Sequence, residues 1–316
     1  MSEYTKALSL IEESRYILIV THVNPDPDSI GSALALSNLF HENKIKHKVF
    51  NISSDLPQNL DFIPRFDKIT DQLPAFFDLI ITVDCGTYKR LGFEPEPSIP
   101  LINFDHHKSN NGFGTVNIVD SMKSSTAELV FEFFKHNGLY ITKNSAIALY
   151  VGIYDDTLAF SLGRCDELTF EKINFLVECG ANPSEIANKL LRRDSLAKYR
   201  IIPKVLNSLE LFKEGEVASI IAKEEWFKET GAHNRDCEDA LDMIMSIAIV
   251  KIAFFVRVVN GVSRVSLRSK GKIDVAKIAG EFDGGGHYNA AGCTLDMIDV
   301  EKAKEIVLKE IFEVYK

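Results

Sequence analysis

"YILIVTHVNPDPDSIGSALALSNLF", residues 16–40, decides how the first half of the chain folds. Tyr16 to Val20 form an apolar, β-type run too short for a helix and suited to a strand buried on both faces. From Asp28 onward apolar residues recur at helical spacing, so a helix follows the strand. Between the two, His22, Asp26 and Asp28 fall within seven positions, the aspartates separated only by Pro27. Adjacent like charges repel, so either water screens them on a loop or a cation holds them together. Asp28 and Ser29 are also acceptable N-cap residues for the helix.

The alternation continues. "KHKVFNI" (46–52), "DLIITVD" (78–84) and "PLINFD" (100–105) are further β-rich runs, which predicts a mainly parallel sheet with helical crossovers. Asp84 ends one run, and Asp105-His106-His107 ends another. Three clusters therefore fall at the C-terminal ends of strands, the edge where open α/β sheets bind ligands. Alone, Asp84-Cys85-Gly86 reads as a turn. Brought together, several carboxylates would drive one another toward protonation, and metal ions remove that penalty. Mixed imidazole and carboxylate ligands suit manganese, with zinc, iron or cobalt as alternatives; all-oxygen cages suit magnesium or calcium. The ligand number fits two ions sharing one carboxylate better than a single ion.

From about Ser124 the pattern turns helical, through "SSTAELVFEFFKHNG", "KNSAIALYVGIYDD" and "DELTFEKINFLVECG". The first domain is expected to span 1–190, with a helical connector over 191–212 and a smaller α+β domain over 213–316. In that second domain Asn260-Gly261 lies between two β-type runs and predicts a type I′ hairpin. Alternation puts Arg264, Ser266 and Arg268 on one face and Val265 and Leu267 on the other. Met243 to Ile273 holds six basic residues and no acidic one, which is either a solvated face or an anion site. Gly284-Gly285-Gly286 before His287 is a glycine turn or a cradle of backbone N–H groups; a nearby Arg268 fork favours the cradle, because both complement one phosphate.

Composition narrows the classes. The 316 residues are 46% hydrophobic and 26% charged, as in a globular protein. Five scattered cysteines without a C-x-x-C pair argue against a disulfide framework or a structural zinc, and a cytoplasmic location is expected. The acid-bearing N-terminus is unlike a signal peptide, and no membrane is expected. A net charge of −9 argues against a long nucleic-acid track while leaving room for a local basic pocket.

"HVNPDPDSIGSA", "VDCG", "FDHH" and "DDT" resemble, in order and spacing, the four motifs of the DHH phosphoesterase family, and "VSLRSKG" with "GKIDVAKIAGEFDGGGHYNAAGC" resembles its DHHA1 domain. The resemblance covers nearly the whole chain, and the compact two-domain length is similar to the oligoribonuclease and pAp-phosphatase branch. It implies an α/β DHH domain with a parallel sheet, a C-terminal α+β DHHA1 domain and an active site in the cleft between them. It further implies that His22 and Asp26 ligate one ion, that Asp28, His106 and Asp156 ligate a second, and that Asp84 bridges both. Asp105 would orient a ligating imidazole, and His107 would face the substrate phosphate. Arg264, Arg268, Ser269, Gly284, Gly285, Gly286 and His287 would hold the substrate. Two departures stand out: Pro27 replaces a small flexible residue, and Leu158 stands where a glycine often follows the threonine, so Asp156 is preferred over Asp155 on the Asp-Thr match alone. The implied cofactor is a pair of divalent ions, manganese first, with magnesium, cobalt or iron as alternatives. The implied activity is hydrolysis of short oligoribonucleotides to mononucleotides and of 3′-phosphoadenosine 5′-phosphate (pAp) to AMP, and a homodimer is compatible with it. Cyclic or linear dinucleotides and polyphosphate are alternative substrates; an RNA-binding or metal-stabilised structural protein is the non-enzymatic alternative.

Overall fold

The computed structural model describes residues 2–53, 56–161 and 165–315, and for His287 the backbone alone. The chain divides into two compact units, Met1–Arg193 and Asp194–Lys316.

In the first unit, helix α1 (Glu3–Glu13) precedes strand β1 (Ile17–Thr21), helix α2 (Pro27–Glu42) and strands β2 (His47–Phe50), β3 (Ile69–Thr70), β4 (Leu79–Val83), β5 (Leu101–Asp105) and β6 (Val116–Val119). Helices α3 (Thr126–His136), α4 (Lys143–Asp156), α5 (Glu167–Glu178) and α6 (Pro183–Leu191) complete it. All strand pairs are parallel, in the order β3-β2-β1-β4-β5-β6. Strands β1, β4 and β5 are buried along their whole length, which explains why most of their residues are apolar. The order reverses at β1, which has β2 on one side and β4 on the other. That switch point leaves a crevice beyond the strand ends, and His22, Asp84 and His106 follow β1, β4 and β5 directly. The edge strands β3 and β6 were not anticipated, being only two and four residues long.

Helix α2 is buried from Asp28 to Phe40 and packs against α4. Glycines permit this approach: a Cβ on Gly31 would lie 2.5 Å from the Ala148 carbonyl oxygen, and one on Gly152 would lie 2.7 Å from Asp28 Oδ1. The close packing carries the C-terminal end of α4, and so Asp156, toward the start of α2.

The second unit comprises helix α7 (Leu196–Asn207), strands β7 (Glu210–Phe212) and β8 (Val217–Ala222), helices α8 (Glu224–Thr230) and α9 (Asp239–Met245), and strands β9 (Ile252–Val259) and β10 (Val262–Ser269). Helix α10 (Val275–Gly280), strands β11 (Gly285–His287) and β12 (Ala290–Leu295) and helix α11 (Val300–Val314) follow. Its sheet runs β11-β12-β10-β9-β8-β7, antiparallel except for the β8–β9 pair. Strand β9 feeds two cores by alternation: Phe255 packs with Ile201 and Val205 of α7, and Phe254 with Val307 and Ile311 of α11. Asn260 and Gly261 join β9 to β10 with φ of 52° and 82°, as a type I′ turn requires. The segment read as one helical connector is not continuous. Helix α6 stops at Leu191, Ser195 caps α7 by accepting from the Lys198 N–H, and residues 210–212 pair as β7. Among the described residues no helix is long and apolar enough to cross a membrane.

Candidate metal centre

His22 turns inward where β1 ends, its ring almost wholly buried. Asn51, after β2, fixes this corner by donating to the His22 carbonyl at 2.8 Å and to Thr21 Oγ1 at 2.6 Å. His22 Nε2 lies 3.4 Å from Asp26 Oδ2 and 3.4 Å from Asp84 Oδ2. Asp26, not Asp28 or Ser29, is the N-cap of α2: its Oδ1 accepts the Ser29 N–H at 2.9 Å, with Pro27 in the first turn. The other oxygen of Asp26 remains turned toward His22.

Asp28 lies on the opposite side of the loop and is buried. It accepts the Thr126 N–H at 2.7 Å and the Ala127 N–H at 2.9 Å, satisfying two donors at the start of α3. Asp84 adopts a left-handed conformation, φ 57°, while its N–H donates to the Phe104 carbonyl at 2.8 Å. Such a backbone is costly for a residue other than glycine and persists where neighbours enforce it, commonly at functional sites. It directs Oδ2 toward His22, and Oδ1 toward His106 Nε2 at 3.6 Å and His107 Nδ1 at 3.5 Å. Thr126 Oγ1 donates to the same Oδ1 at 2.9 Å.

His106 Nε2 stands 3.2 Å from Asp156 Oδ2. Asp156 is thus the member of its pair that joins His106 and Asp28. Three groups, His22 with Asp26 and Asp84, Asp28 with His106 and Asp156, and Asp84 with His106 and His107, each present ligand atoms within 4.8 Å of one another. Asp105 differs from expectation: its Oδ1 lies 2.7 Å from His107 Nδ1, so the imidazole it orients is the one read as facing substrate, while His106 Nδ1 has the Lys123 carbonyl at 3.4 Å. Asn110 donates to the other oxygen of Asp105 at 2.6 Å.

The charges conflict without a cation. Burial raises the Asp28 carboxyl well above the usual range, and the charges of Asp84, Asp156 and Asp26 add to it. Asp84, equally buried, is instead held low, because its hydrogen bond from His22 and the imidazoles of His107, His22 and His106 outweigh burial. Burial pulls His22 down, but Asp26 and Asp84 push it up to about 10. Burial lowers His106; His107 is raised, the Asp105 hydrogen bond overcoming burial. Burial pushes the Cys85 thiol up to about 12, so it is no nucleophile at neutral pH. A set of two imidazoles and four carboxylates, of which His22, Asp28, Asp84 and His106 are buried, fits divalent cations, which favour the anions of Asp28 and Asp84 and the neutral rings of His22 and His106.

In the second unit Arg264 and Arg268 share a face of β10, and Arg257 of β9 lies in register with Arg264. The basic run is not without acids: Arg257 donates to Glu238 at 3.1 Å, and Arg268 lies 3.8 Å from Asp242. Both acids flank or lie on α9, outside the 243–273 window. Ser269 points to the other face, where its hydroxyl donates to the Ile273 carbonyl at 2.6 Å and accepts from Asn289 at 2.9 Å, so it ties a loop and does not join the arginines. The glycine triplet runs into an edge strand and is not a free loop. A Cβ on Gly284 would meet the Gly292 carbonyl oxygen at 2.4 Å and one on Gly286 the Ala290 carbonyl oxygen at 2.5 Å, so close approach to β12 accounts for these two, while Gly285 is open. The side chain of His287 lies outside the described residues.

Thr126, Asn110 and Arg90 also belong to this centre and were not anticipated. Thr126 follows a serine in a pattern that signals only a helix start, and Asn110 sits in a polar loop.

Residues 16–153 match the family profile "DHH family, N-terminal domain" and residues 216–315 match "DHHA1 domain". The chain is 29% identical over 300 residues to the bifunctional oligoribonuclease and PAP phosphatase NrnA of Thermus thermophilus, covering 94% of this chain and 89% of that protein. The protein of the same name from Bacillus subtilis is 25% identical, with 93% of each chain covered. The fold is similar to the crystal structure of an exopolyphosphatase-related protein from Bacteroides fragilis, with a TM-score of 0.90 at 26% identity and 98% and 96% of the two chains covered.

Proposed function

The chain belongs to the DHH family of metal-dependent phosphoesterases, with a DHHA1 domain following the DHH domain, and from that premise we propose that it hydrolyses short oligoribonucleotides to mononucleotides and pAp to AMP. The observation that carries this reading is the position of Asp84, whose two carboxylate oxygens face different imidazoles at a sheet switch point. Such a carboxylate could serve two cations at once. His22 and Asp26 would hold one, and Asp28, His106 and Asp156 would hold the other. The mixed imidazole and carboxylate donor set favours manganese, with magnesium, cobalt or iron as alternatives.

Bound there, a pair of divalent ions supplies Lewis acidity to phosphoryl oxygens and acidifies water for attack on phosphorus. The protein's own groups do the rest. Asp105 holds the proton on His107 Nδ1, which leaves Nε2 to donate to a phosphate oxygen or to the departing alkoxide when the ring is protonated. The raised affinity of His107 for a proton serves that role. In the DHHA1 domain, Arg264, Arg268, Gly285 and His287 hold the substrate's distal phosphate or base. A protein of net charge −9 suits short substrates better than a long polyanionic strand. Five free cysteines fit a cytoplasmic location.

The test is a panel of pAp, dinucleotides, five-nucleotide RNA, cyclic dinucleotides and polyphosphate with manganese present. The highest kcat/KM is expected on pAp and dinucleotides. Polyphosphate or a cyclic dinucleotide as the best substrate would overturn the assignment.

A further inference from the structure

Arg90 is a cation of this centre to which the metal-ligand reading gives no task. It ends the short turn Tyr88–Arg90 that follows Asp84-Cys85-Gly86. Its carbonyl accepts the Val23 N–H at 2.8 Å, which ties the turn to the residue beside His22. The residue is exposed, yet its Nη2 stands 2.8 Å from His22 Nδ1. Its charge also bears on His107. Among the described residues His22 is the only hydrogen-bond partner of this guanidinium, and no carboxylate lies within ion-pair distance.

His22 Nδ1 cannot serve both of its neighbours. The Val23 carbonyl, 2.9 Å away, needs an N–H there, whereas Arg90 needs a lone pair. When Nε2 gives its lone pair to a cation, the ring proton resides on Nδ1 and goes to the carbonyl, the usual anchor of a ligating histidine. Arg90 then faces an N–H and has no protein acceptor. A planar fork of donors, fixed at the solvent-reached rim of a metal centre, matches the shape and charge of a phosphate.

We propose that Arg90 binds the phosphate undergoing hydrolysis, as a substrate-binding residue of the DHH domain. The inference rests on the phosphoesterase reading above. It separates Arg90 from Arg268, which is assigned to the far end of a nucleotide: Arg90 acts on every phosphate substrate, large or small.

Arg90→Gln and Arg90→Lys, loaded with manganese, test it through three readouts: manganese per chain, affinity for inorganic phosphate by calorimetry, and kcat/KM on pAp and on p-nitrophenyl phosphate. Arg90→Gln is expected to keep its manganese and to bind inorganic phosphate roughly 10- to 150-fold more weakly, the range for a hydrogen bond to a charged group. It should lose a similar factor on both substrates, and Arg90→Lys should recover part of each loss. Unchanged phosphate affinity would overturn the proposal. So would equal loss of manganese from both variants, which would make Arg90 a support for His22. If the wild-type protein hydrolyses neither substrate, the functional reading fails, while the phosphate titration still decides the role of Arg90.

Discussion

Gly152→Ala should leave the protein folded and cripple its metal centre. Gly152 lies on α4 one turn before Asp156, and an added Cβ would stand 2.7 Å from Ala127 Cβ, 2.7 Å from Asp28 Oδ1 and 3.3 Å from Asp28 Cα. Ala127 and the Asp28 backbone belong to packed helices, so relief comes only from moving α4 outward or from turning the Asp28 carboxylate. Replacing a helical glycine by alanine contributes about 1 kcal/mol of stability. Overpacking of this kind costs about 1–3 kcal/mol. The difference leaves a net loss of about 0–2 kcal/mol, within the margin of a folded domain. The centre has no such margin. Either route of relief separates Asp28 from Asp156 or breaks the bonds it accepts from Thr126 and Ala127 at 2.7 and 2.9 Å. Disturbing the groups that orient a ligand typically weakens metal affinity by roughly 10–100-fold. Thermal unfolding of the metal-free protein, calorimetric titration with manganese and turnover on pAp measure the three effects separately. Wild-type manganese affinity and turnover in folded Gly152→Ala would refute the reasoning, because they would mean that the α2–α4 spacing does not set the position of Asp28.

Other outcomes follow from the same geometry. Asp84→Asn should fold and lose turnover, with elemental analysis finding less metal per chain than in wild type, because a neutral amide bridges cations poorly; undiminished hydrolysis would sink the shared-carboxylate reading. Arg268→Ala should lose about 1.5–3 kcal/mol of transition-state binding on pAp, the worth of a charged hydrogen bond, with little change on p-nitrophenyl phosphate, as kinetics on the two substrates will show. The pH dependence has a definite sign. A His22 pKa raised from 6.5 to about 10 contributes stability that is full below pH 6.5 and lost as pH rises toward 10, and the raised Asp28 likewise favours the protonated, low-pH form. Cations displace those protons, so the gain in Tm on adding manganese should be larger at pH 8.5 than at pH 6.5; a gain independent of pH would contradict it.

Much of this protein is legible in its linear chain. Runs such as Leu79–Val83, buried on both faces, are largely apolar, so β1, β4 and β5 announce themselves, and the acids and histidines at their ends mark the ligand-binding edge. The Asn260-Gly261 turn and the alternation around Arg264 are equally local. What escaped is contact between distant segments. Strand β3 is too short for a periodic signal. The partner of Asp105 depends on how two adjacent histidines splay, and the acids that meet Arg257 and Arg268 arrive from α9. Ser269 reads like its neighbour Arg268, yet the pleat turns it to the opposite face.

The sequence by itself determined the parallel sheet, the candidate acidic and imidazole donors at its edge and the family, because strand periodicity and motif spacing are properties of consecutive residues. Only the tertiary structure decided that Asp26 caps α2 while Asp28 accepts the first N–H groups of α3, that Asp84 turns its two oxygens to different histidines, and that Arg90 reaches His22. Of these, the bonds that Asp28 accepts from α3 depend on the distance between helices α2, α3 and α4. That distance is set by what Gly31 and Gly152 lack: a single methyl group at either would collide with the neighbouring helix.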